Sequence, residues 1–167
     1  MQIRPARSDD LAAITNSIPE RHPELHSGRL RSQEHDEGIY LIAWEGGRPV
    51  GHVMLMWPWW PEQPVSEFTA RYDCSWVEDL FVQPQSRNKG IGRRLMEAVE
   101  AHTRTERIGR VGLAVGLDEG YTVARHLYES VGYRNPGHGT FFESVIVRGG
   151  GVWMDWLTAF IKELRES

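Results

Sequence analysis

The fold of this chain is decided by residues 77–95, which read Val77-Glu78-Asp79-Leu80-Phe81-Val82-Gln83-Pro84-Gln85-Ser86-Arg87-Asn88-Lys89-Gly90-Ile91-Gly92-Arg93-Arg94-Leu95. The apolar run before Pro84 predicts a strand, and the glycines after the basic loop open an amphipathic helix. The first amides of a helix have no partner within it and lie at the positive end of its dipole. The segment therefore predicts an anion site, and phosphate is the usual occupant of such a site.

Three interpretations of this phosphate loop compete. A Walker A loop needs two glycines followed by Lys and Ser or Thr, a pattern that residues 83–95 lack. A dinucleotide fingerprint needs a third glycine where the chain has Leu95. The remaining pattern, Arg87-x-x-Gly90-x-Gly92 after a strand that ends at Pro84, resembles motif A of the GNAT superfamily of acyl-CoA-dependent N-acyltransferases. An ordinary strand-to-helix turn is the alternative without a ligand.

A second motif supports the resemblance. Residues 124–133 read Ala124-Arg125-His126-Leu127-Tyr128-Glu129-Ser130-Val131-Gly132-Tyr133. Their apolar residues recur at helical spacing, and Gly132 follows the last turn, where helix ends favour glycine. The segment is similar to GNAT motif B, in which a tyrosine at the position of Tyr128 faces the sulfur of coenzyme A. Tyr128 could instead be a core aromatic. The two interpretations are compatible if the ring is buried and the hydroxyl meets a ligand.

The resemblance implies that acetyl-CoA is the acyl-donor cosubstrate and that no metal is required. The predicted cofactor contacts in motif A are Leu80, Phe81, Val82, Arg87, Asn88, Lys89, Gly90, Ile91, Gly92 and Arg93. One further contact departs from the family pattern, which has an asparagine three residues before Ala124. This chain has Tyr121 there, so the amide contact of the family is missing at that position.

The activity that the resemblance implies is N-acetyltransfer from acetyl-CoA directly to an amine acceptor, in a ternary complex. Tyr128 is the predicted general acid that protonates the departing thiolate. A backbone amide among residues 80–82 is the predicted donor to the thioester carbonyl oxygen. A non-catalytic acyl-CoA-binding sensor module and a nucleotide-binding protein of another fold remain alternatives.

A base must remove the proton of the acceptor ammonium, because an alkylammonium is not a nucleophile. Glu78 is the predicted base, since strand alternation would place it on one face with Leu80 and Val82, where the family often keeps a carboxylate. Asp79 and Asp73 are alternatives, and a water molecule could carry the proton.

The resemblance places the acceptor between the first two helices, the loop before the motif A strand and the C-terminal strands. Aromatic and acidic side chains in these parts would suit a cationic small-molecule or peptide amine. They are Glu20, Glu24, Glu34, His35, Asp36, Glu37, Trp57, Trp59, Trp60 and Glu67. The alternative, slightly favoured, is that the tryptophans cover the core and the acids face water.

Composition limits the remaining classes. A chain of 167 residues fits a single domain spanning residues 1–167. The net charge of −4 gives no basic excess for nucleic-acid binding, and the lone Cys74 excludes an intramolecular disulfide. Since we find neither a membrane-spanning segment nor a secretory signal, we expect a cytoplasmic monomer or homodimer without a membrane partner.

The predicted elements follow the order of the GNAT fold. A strand and two helices come first, then antiparallel strands joined at Gly46-Gly47, a helix, a strand, a helix and further strands. For residues 152–164 we predict a strand followed by a short helix. The expected class is α/β, with a mixed, mostly antiparallel sheet flanked by helices, and the resemblance implies that its central strands splay apart.

Overall fold

The computed structural model describes residues 1–20, 22, 24–59, 73–148 and 151–164. Its strands are β1 Gln2–Pro5, β2 Gly38–Glu45, β3 Arg48–Met56, β4 Ser75–Val82, β5 Arg110–Gly116, β6 Thr140–Arg148 and β7 Gly151–Glu163. Its helices are α1 Leu11–Ser17, α2 Leu25–Glu34, α3 Ile91–Thr105 and α4 Thr122–Ser130. The strands form one sheet in the order β1-β2-β3-β4-β5-β7-β6, which confirms the predicted mixed α/β class.

At the centre of the sheet, β4 and β5 form the only parallel pair among the described strands. Neighbouring strands pair antiparallel except β4 and β5. A parallel pair needs a crossover connection, which α3 supplies. Backbone pairing joins only Ser75–Val77 to Val111–Leu113, and beyond these residues the two strands separate. The predicted splay of the central strands is therefore confirmed.

Helices cover both faces of the sheet. On the α3 face, Leu95 and Val99 of α3 pack in one buried cluster with Tyr128 of α4. On the α1 face, Ile14 of α1 and Leu30 of α2 belong to a second buried cluster. Each fully buried aliphatic side chain contributes about 1.5–3 kcal/mol relative to exposure, so the two clusters hold the helices against the sheet. No helix in the described part of the chain is long and apolar enough to cross a membrane.

The C-terminal segment corrects the prediction of a strand followed by a helix. β7 continues without a break from Gly151 to Glu163 and lies between β5 and β6, pairing with both. Pairing on two sides satisfies the backbone amides and carbonyls that a helix would otherwise satisfy locally. Contacts with distant strands therefore decide the conformation of this segment.

Candidate functional site

Where β4 and β5 separate, they leave a cleft of about 390 Å³. Residues of both strands, of α4 with the turn before it, and of β7 line the cleft: Trp76, Val77, Glu78, Asp79, Leu80, Ala114, Val115, Gly116, Tyr121, Ala124, Tyr128 and Leu157. Four residues predicted from the sequence, Glu78, Leu80, Tyr121 and Tyr128, lie together here. Sequence reasoning missed the lining from β5 and β7, because short apolar side chains carry no chemical signal. Ligands of α/β sheets commonly bind at such carboxyl ends of strands.

The predicted anion loop lies after the carboxyl end of β4. Gly90 has a φ of +75°, which favours glycine, and a Cβ atom placed there would meet nothing within 4 Å. The Arg94 N–H donates to the Gly90 carbonyl at 3.1 Å and so begins the helical bonding of α3. The amides of Ile91, Gly92 and Arg93 precede that bond and have no partner within the helix. The loop therefore presents backbone donors beside open space.

Cationic side chains surround this loop, and each has a defined contact. The Arg87 Nε donates to the Val82 carbonyl at 3.0 Å, which ties the loop to β4. The Lys89 Nζ lies 3.7 Å from Glu45, and the Arg93 guanidinium donates to Ser130 at 3.2 Å. Three exposed cations thus lie around the start of α3, where an anion would be attracted. The buried Ile91 can offer a ligand only its backbone amide.

A β-bulge at Asp79 interrupts β4 beside the cleft. Between the pairs formed by Glu78 and Phe81, β4 advances three residues while β3 advances only two. Asp79 has a φ of +47°. This left-handed conformation costs a non-glycine residue about 1–2 kcal/mol, and aspartate is among the residues that tolerate it best. The surrounding structure must therefore hold the bulge in place.

The bulge corrects the face assigned to Glu78. Leu80 and Val82 pack on the α3 face. Glu78 is paired with Met54, which belongs to the cluster on the α1 face, so Glu78 lies on that face too. The alternation argument fails because one extra residue shifts every later side chain to the other face. Phe81, predicted as a cofactor contact, also packs on the α1 face, where its ring lies 5.8 Å from that of His52.

Tyr128 lies on α4 at the wall of the cleft. Its side chain is 7% exposed, and burial together with the nearby negative charge of Asp79 raises its pKa to about 12. The phenol is therefore protonated at neutral pH and can donate a proton. Helices α3 and α4 meet beside it, since a Cβ atom on Gly92 would lie 3.0 Å from the Leu127 Cδ2. The two sequence motifs are thus in direct contact.

Tyr121, the departure from the family pattern, closes the end of the cleft at β5. Its ring packs so closely on Gly116 that a Cβ atom there would lie 2.3 Å from two ring carbons. The Arg125 guanidinium donates to the Gly116 carbonyl at 2.5 Å and to the Asp118 carbonyl at 3.0 Å. The end of β5 is therefore held from two sides, and the Tyr121 ring forms part of the cleft wall.

A charged network on the α1 face reaches the bulge. The Arg29 guanidinium contacts Glu20 at 2.6 Å and also contacts the carboxylate of Asp79. The Glu20 carboxylate lies 3.3 Å from the His52 Nε2, and hydrogen bonds from His52 and Arg29 lower its pKa to about 2. Burial lowers the pKa of His52, so a neutral ring donates to Glu20. Sequence reasoning missed Arg29 and His52 because their spacing along the chain carries no motif.

Trp57 and Trp59, two of the aromatic residues predicted for the acceptor side, lie outside the described lining of the cleft. Trp57 is 4% exposed and packs in the cluster on the α3 face. Trp59 is 53% exposed and stacks on Trp57 with ring centroids 5.8 Å apart. The described lining of the cleft includes neither ring, which favours the interpretation that these tryptophans cover the core. Trp60 and Glu67 lie outside the described residues.

The fold and this cleft define a class of α/β protein with a cleft between two splayed parallel strands, next to a helix start whose first amides have no partner within the helix. The sequence model of the acetyltransferase (GNAT) family matches residues 8–133. The chain belongs to this family.

Known proteins similar to this chain agree with that assignment. An uncharacterized N-acetyltransferase, YhfO of Bacillus subtilis (strain 168), is 30% identical over 142 residues, which are 80% of this chain and 89% of the relative. Two solved structures share the fold, each at 22% identity. The ribosomal-protein-alanine N-acetyltransferase of Brucella melitensis superposes with a TM-score of 0.72 over 98% of this chain and 100% of its own. The putative acetyltransferase yncA of Salmonella typhimurium, solved with its cofactor acetyl-CoA, superposes with a TM-score of 0.71 over 100% of this chain and 95% of its own.

Proposed function

We propose that this protein transfers an acetyl group from acetyl-CoA directly to an amine. The observation that carries the proposal is the cleft between β4 and β5, with the start of α3 after the end of β4 and the protonated Tyr128 in its wall. Membership of the GNAT acetyltransferase family supports it. The acetyl-CoA bound by the similar protein from Salmonella supports the choice of cosubstrate.

The residues present fit acetyl-CoA. The amides that open α3, with Arg87 and Lys89 close by, supply the donors and positive charge that a pyrophosphate needs. Gly90 leaves open space at this point, where a Cβ atom would meet nothing within 4 Å. The cleft has a volume of about 390 Å³, and Leu80 and Leu157 give it apolar walls. The phosphates would thus bind at the loop and the thioester in the cleft.

Each step of the transfer then has a residue in the cleft. Glu78 accepts the proton of the acceptor ammonium, directly or through water, and the neutral nitrogen attacks the thioester carbonyl carbon. Past Val77, the edge of β4 that faces the cleft no longer pairs with β5, so a backbone amide near Leu80 can donate to the carbonyl oxygen as it becomes negative. The carbon–sulfur bond breaks, and Tyr128 gives its proton to the departing thiolate. The nitrogen of the new amide loses its remaining extra proton, which restores the Tyr128 hydroxyl through water.

The acceptor in this proposal is a small-molecule or peptide amine. Glu78 and Asp79 line the cleft, and the carboxylate of Glu20 lies behind them across Arg29. The two carboxylates that line the cleft favour a cationic group there. An ammonium would therefore be drawn toward the predicted base.

The cofactor assignment is tested by thermal denaturation with acetyl-CoA. Acetyl-CoA should raise the melting temperature of the wild type. Gly90→Glu should abolish the increase, because its carboxylate would lie where the phosphates bind. Gly137→Glu is the matched control, since Gly137 also has a positive φ of +79°, a Cβ there also meets nothing within 4 Å, and it lies between α4 and β6. Equal protection of Gly90→Glu and Gly137→Glu would contradict the assignment.

The reaction itself is tested by thiol release from acetyl-CoA against a varied panel of amines. Turnover with at least one amine, with the acetylated product identified by mass spectrometry, is the expected result. Protection by acetyl-CoA without turnover of any amine would instead favour the alternative of a non-catalytic acyl-CoA sensor. Retention of Tyr128 and Glu78 in the cleft is the observation that favours catalysis.

A further inference from the structure

The charged network of Glu20, Arg29, His52 and Asp79 joins the α1 face to the bulge of β4. We propose that Arg29 is a positioning residue, which holds Asp79 in its left-handed conformation and thereby sets the backbone of β4 that faces the cleft. The kinetic part of this inference rests on the proposed acetyl transfer. The structural part, the backbone conformation of Asp79, can be measured without any turnover.

The contacts of Arg29 leave its guanidinium little freedom. One terminal nitrogen donates to Glu20 at 2.6 Å and the other donates to the carboxylate of Asp79. The side chain is 8% exposed, and the guanidinium carbon lies 5.6 Å from the centre of the Tyr40 ring. Glu20 is in turn held by His52, which is 1% exposed and lies on β3 opposite the bulged part of β4. A rigid, buried cation thus fixes an otherwise exposed carboxylate.

Asp79 transmits this constraint to the site. Its side chain is 62% exposed and lines the cleft. Asp79, with its φ of +47°, is also the residue at which β4 departs from regular pairing. Its negative charge also acts on Tyr128 across the cleft. Loss of Arg29 would remove the partner that holds the bulge and would leave an uncompensated carboxylate facing Tyr128. Both effects act on the transfer step rather than on the loop that would bind phosphate.

A second ion pair supplies the matched control. Arg4 contacts Asp10 at 2.6 Å, and its guanidinium lies 4.5 Å from the centre of the Trp44 ring, so it combines a carboxylate and an aromatic contact as Arg29 does. Arg4 lies on β1, which β2 and β3 separate from β4. Arg4→Met should therefore affect stability without affecting the bulge or the cleft.

The experiment compares Arg29→Met, Arg29→Lys and Arg4→Met with the wild type. Backbone NMR couplings and chemical shifts report the φ of residue 79, and thiol release with an accepted amine reports kcat. Arg29→Met should move residue 79 away from positive φ in a measurable fraction of molecules. It should also lower kcat by about tenfold or more while changing the acetyl-CoA affinity by less than about twofold. Arg29→Lys should retain more of the wild-type kcat than Arg29→Met does. Arg4→Met should match the wild type in the φ of residue 79 and in kcat.

Each outcome decides the inference. A positive φ retained at residue 79 in Arg29→Met would overturn it, whether or not the wild type shows turnover. A displaced φ with unchanged kcat would overturn the positioning role, since the bulge would then not matter for transfer. If the wild type acetylates no amine, the proposed function fails and the φ measurement alone decides the role of Arg29. If Arg29→Met does not fold, Arg29→Gln takes its place, because its amide can still bond to Glu20.

Discussion

Removing the hydroxyl of Tyr128 is the sharpest test of the site, because the neighbouring Tyr133 provides a control. Both tyrosines are buried, but only Tyr128 belongs to the described lining of the cleft. Tyr128 and Tyr133 lie edge to face with ring centroids 6.2 Å apart, and both rings are buried. Tyr128 lines the cleft. The Tyr133 hydroxyl is buried and has no hydrogen-bond partner in the described part of the structure. The two Tyr→Phe substitutions thus delete the same atom from a site residue and from a core residue.

We expect Tyr128→Phe to change the rate of the reaction and Tyr133→Phe to change the stability of the fold. Tyr128→Phe should lower kcat by about tenfold or more, equivalent to ~1.4 kcal/mol of transition-state stabilisation, and leave the acetyl-CoA affinity unchanged. Its free energy of unfolding should change by less than about 1 kcal/mol because the ring remains. Tyr133→Phe should leave kcat unchanged and increase the free energy of unfolding by up to about 1 kcal/mol, since it removes a buried hydroxyl without a partner.

The assay is steady-state thiol release under conditions where chemistry limits the rate, together with urea denaturation of both variants. Tyr128→Phe should be affected least with acyl donors whose thiols are more acidic, because their thiolates need less protonation on leaving. With a pKa of about 12, Tyr128 should cause no loss of kcat below about pH 10. Full kcat in Tyr128→Phe with acetyl-CoA would refute the acid role and leave Tyr128 a packing residue.

Two further predictions concern the supports of the site. Gly92→Val should lower the free energy of unfolding by about 1–3 kcal/mol and reduce kcat, because its Cβ would lie 3.0 Å from the Leu127 Cδ2 and displace α4; an unchanged urea midpoint would contradict this. Glu20 has a folded-state pKa of about 2, below its ordinary 4.5, so its contribution to stability is present above pH 4.5 and lost as the pH falls toward 2. Between pH 5 and 2.5 the wild type should therefore lose up to about 2 kcal/mol more than Glu20→Gln, allowing for solvent screening, and parallel pH profiles would contradict it.

Part of the molecule follows from the sequence because its causes are local. The strand before Pro84, the glycine start of α3 and the apolar stripe of α4 depend on backbone preferences and on residues a few positions apart. The hairpin at Gly46-Gly47 is equally local. These features, with the resemblance to two family motifs, named Glu78, Leu80, Tyr121 and Tyr128, and the structure shows that all four line one cleft, although the face predicted for Glu78 was wrong.

The tertiary structure decided what depends on distant partners. The C-terminal segment is a strand rather than a strand and helix because β5 and β6 pair with it on both sides. The bulge at Asp79 is invisible in the apolar pattern, since both Glu78 and Asp79 are polar and either could begin the shift of face. Local propensity cannot choose between such alternatives, because the deciding hydrogen bonds come from β3, far along the chain.

The sequence by itself determined the GNAT fold class and named Tyr128, and it predicts an anion loop at the start of α3. Only the tertiary structure showed that Arg29 joins Glu20 to Asp79, and that His52 supports Glu20 from β3. These residues come from a loop, a helix and two strands, and no spacing along the chain marks them as partners. Their association arises because packing of the helices on the α1 face buries charges, and a buried charge is stable only when it is paired.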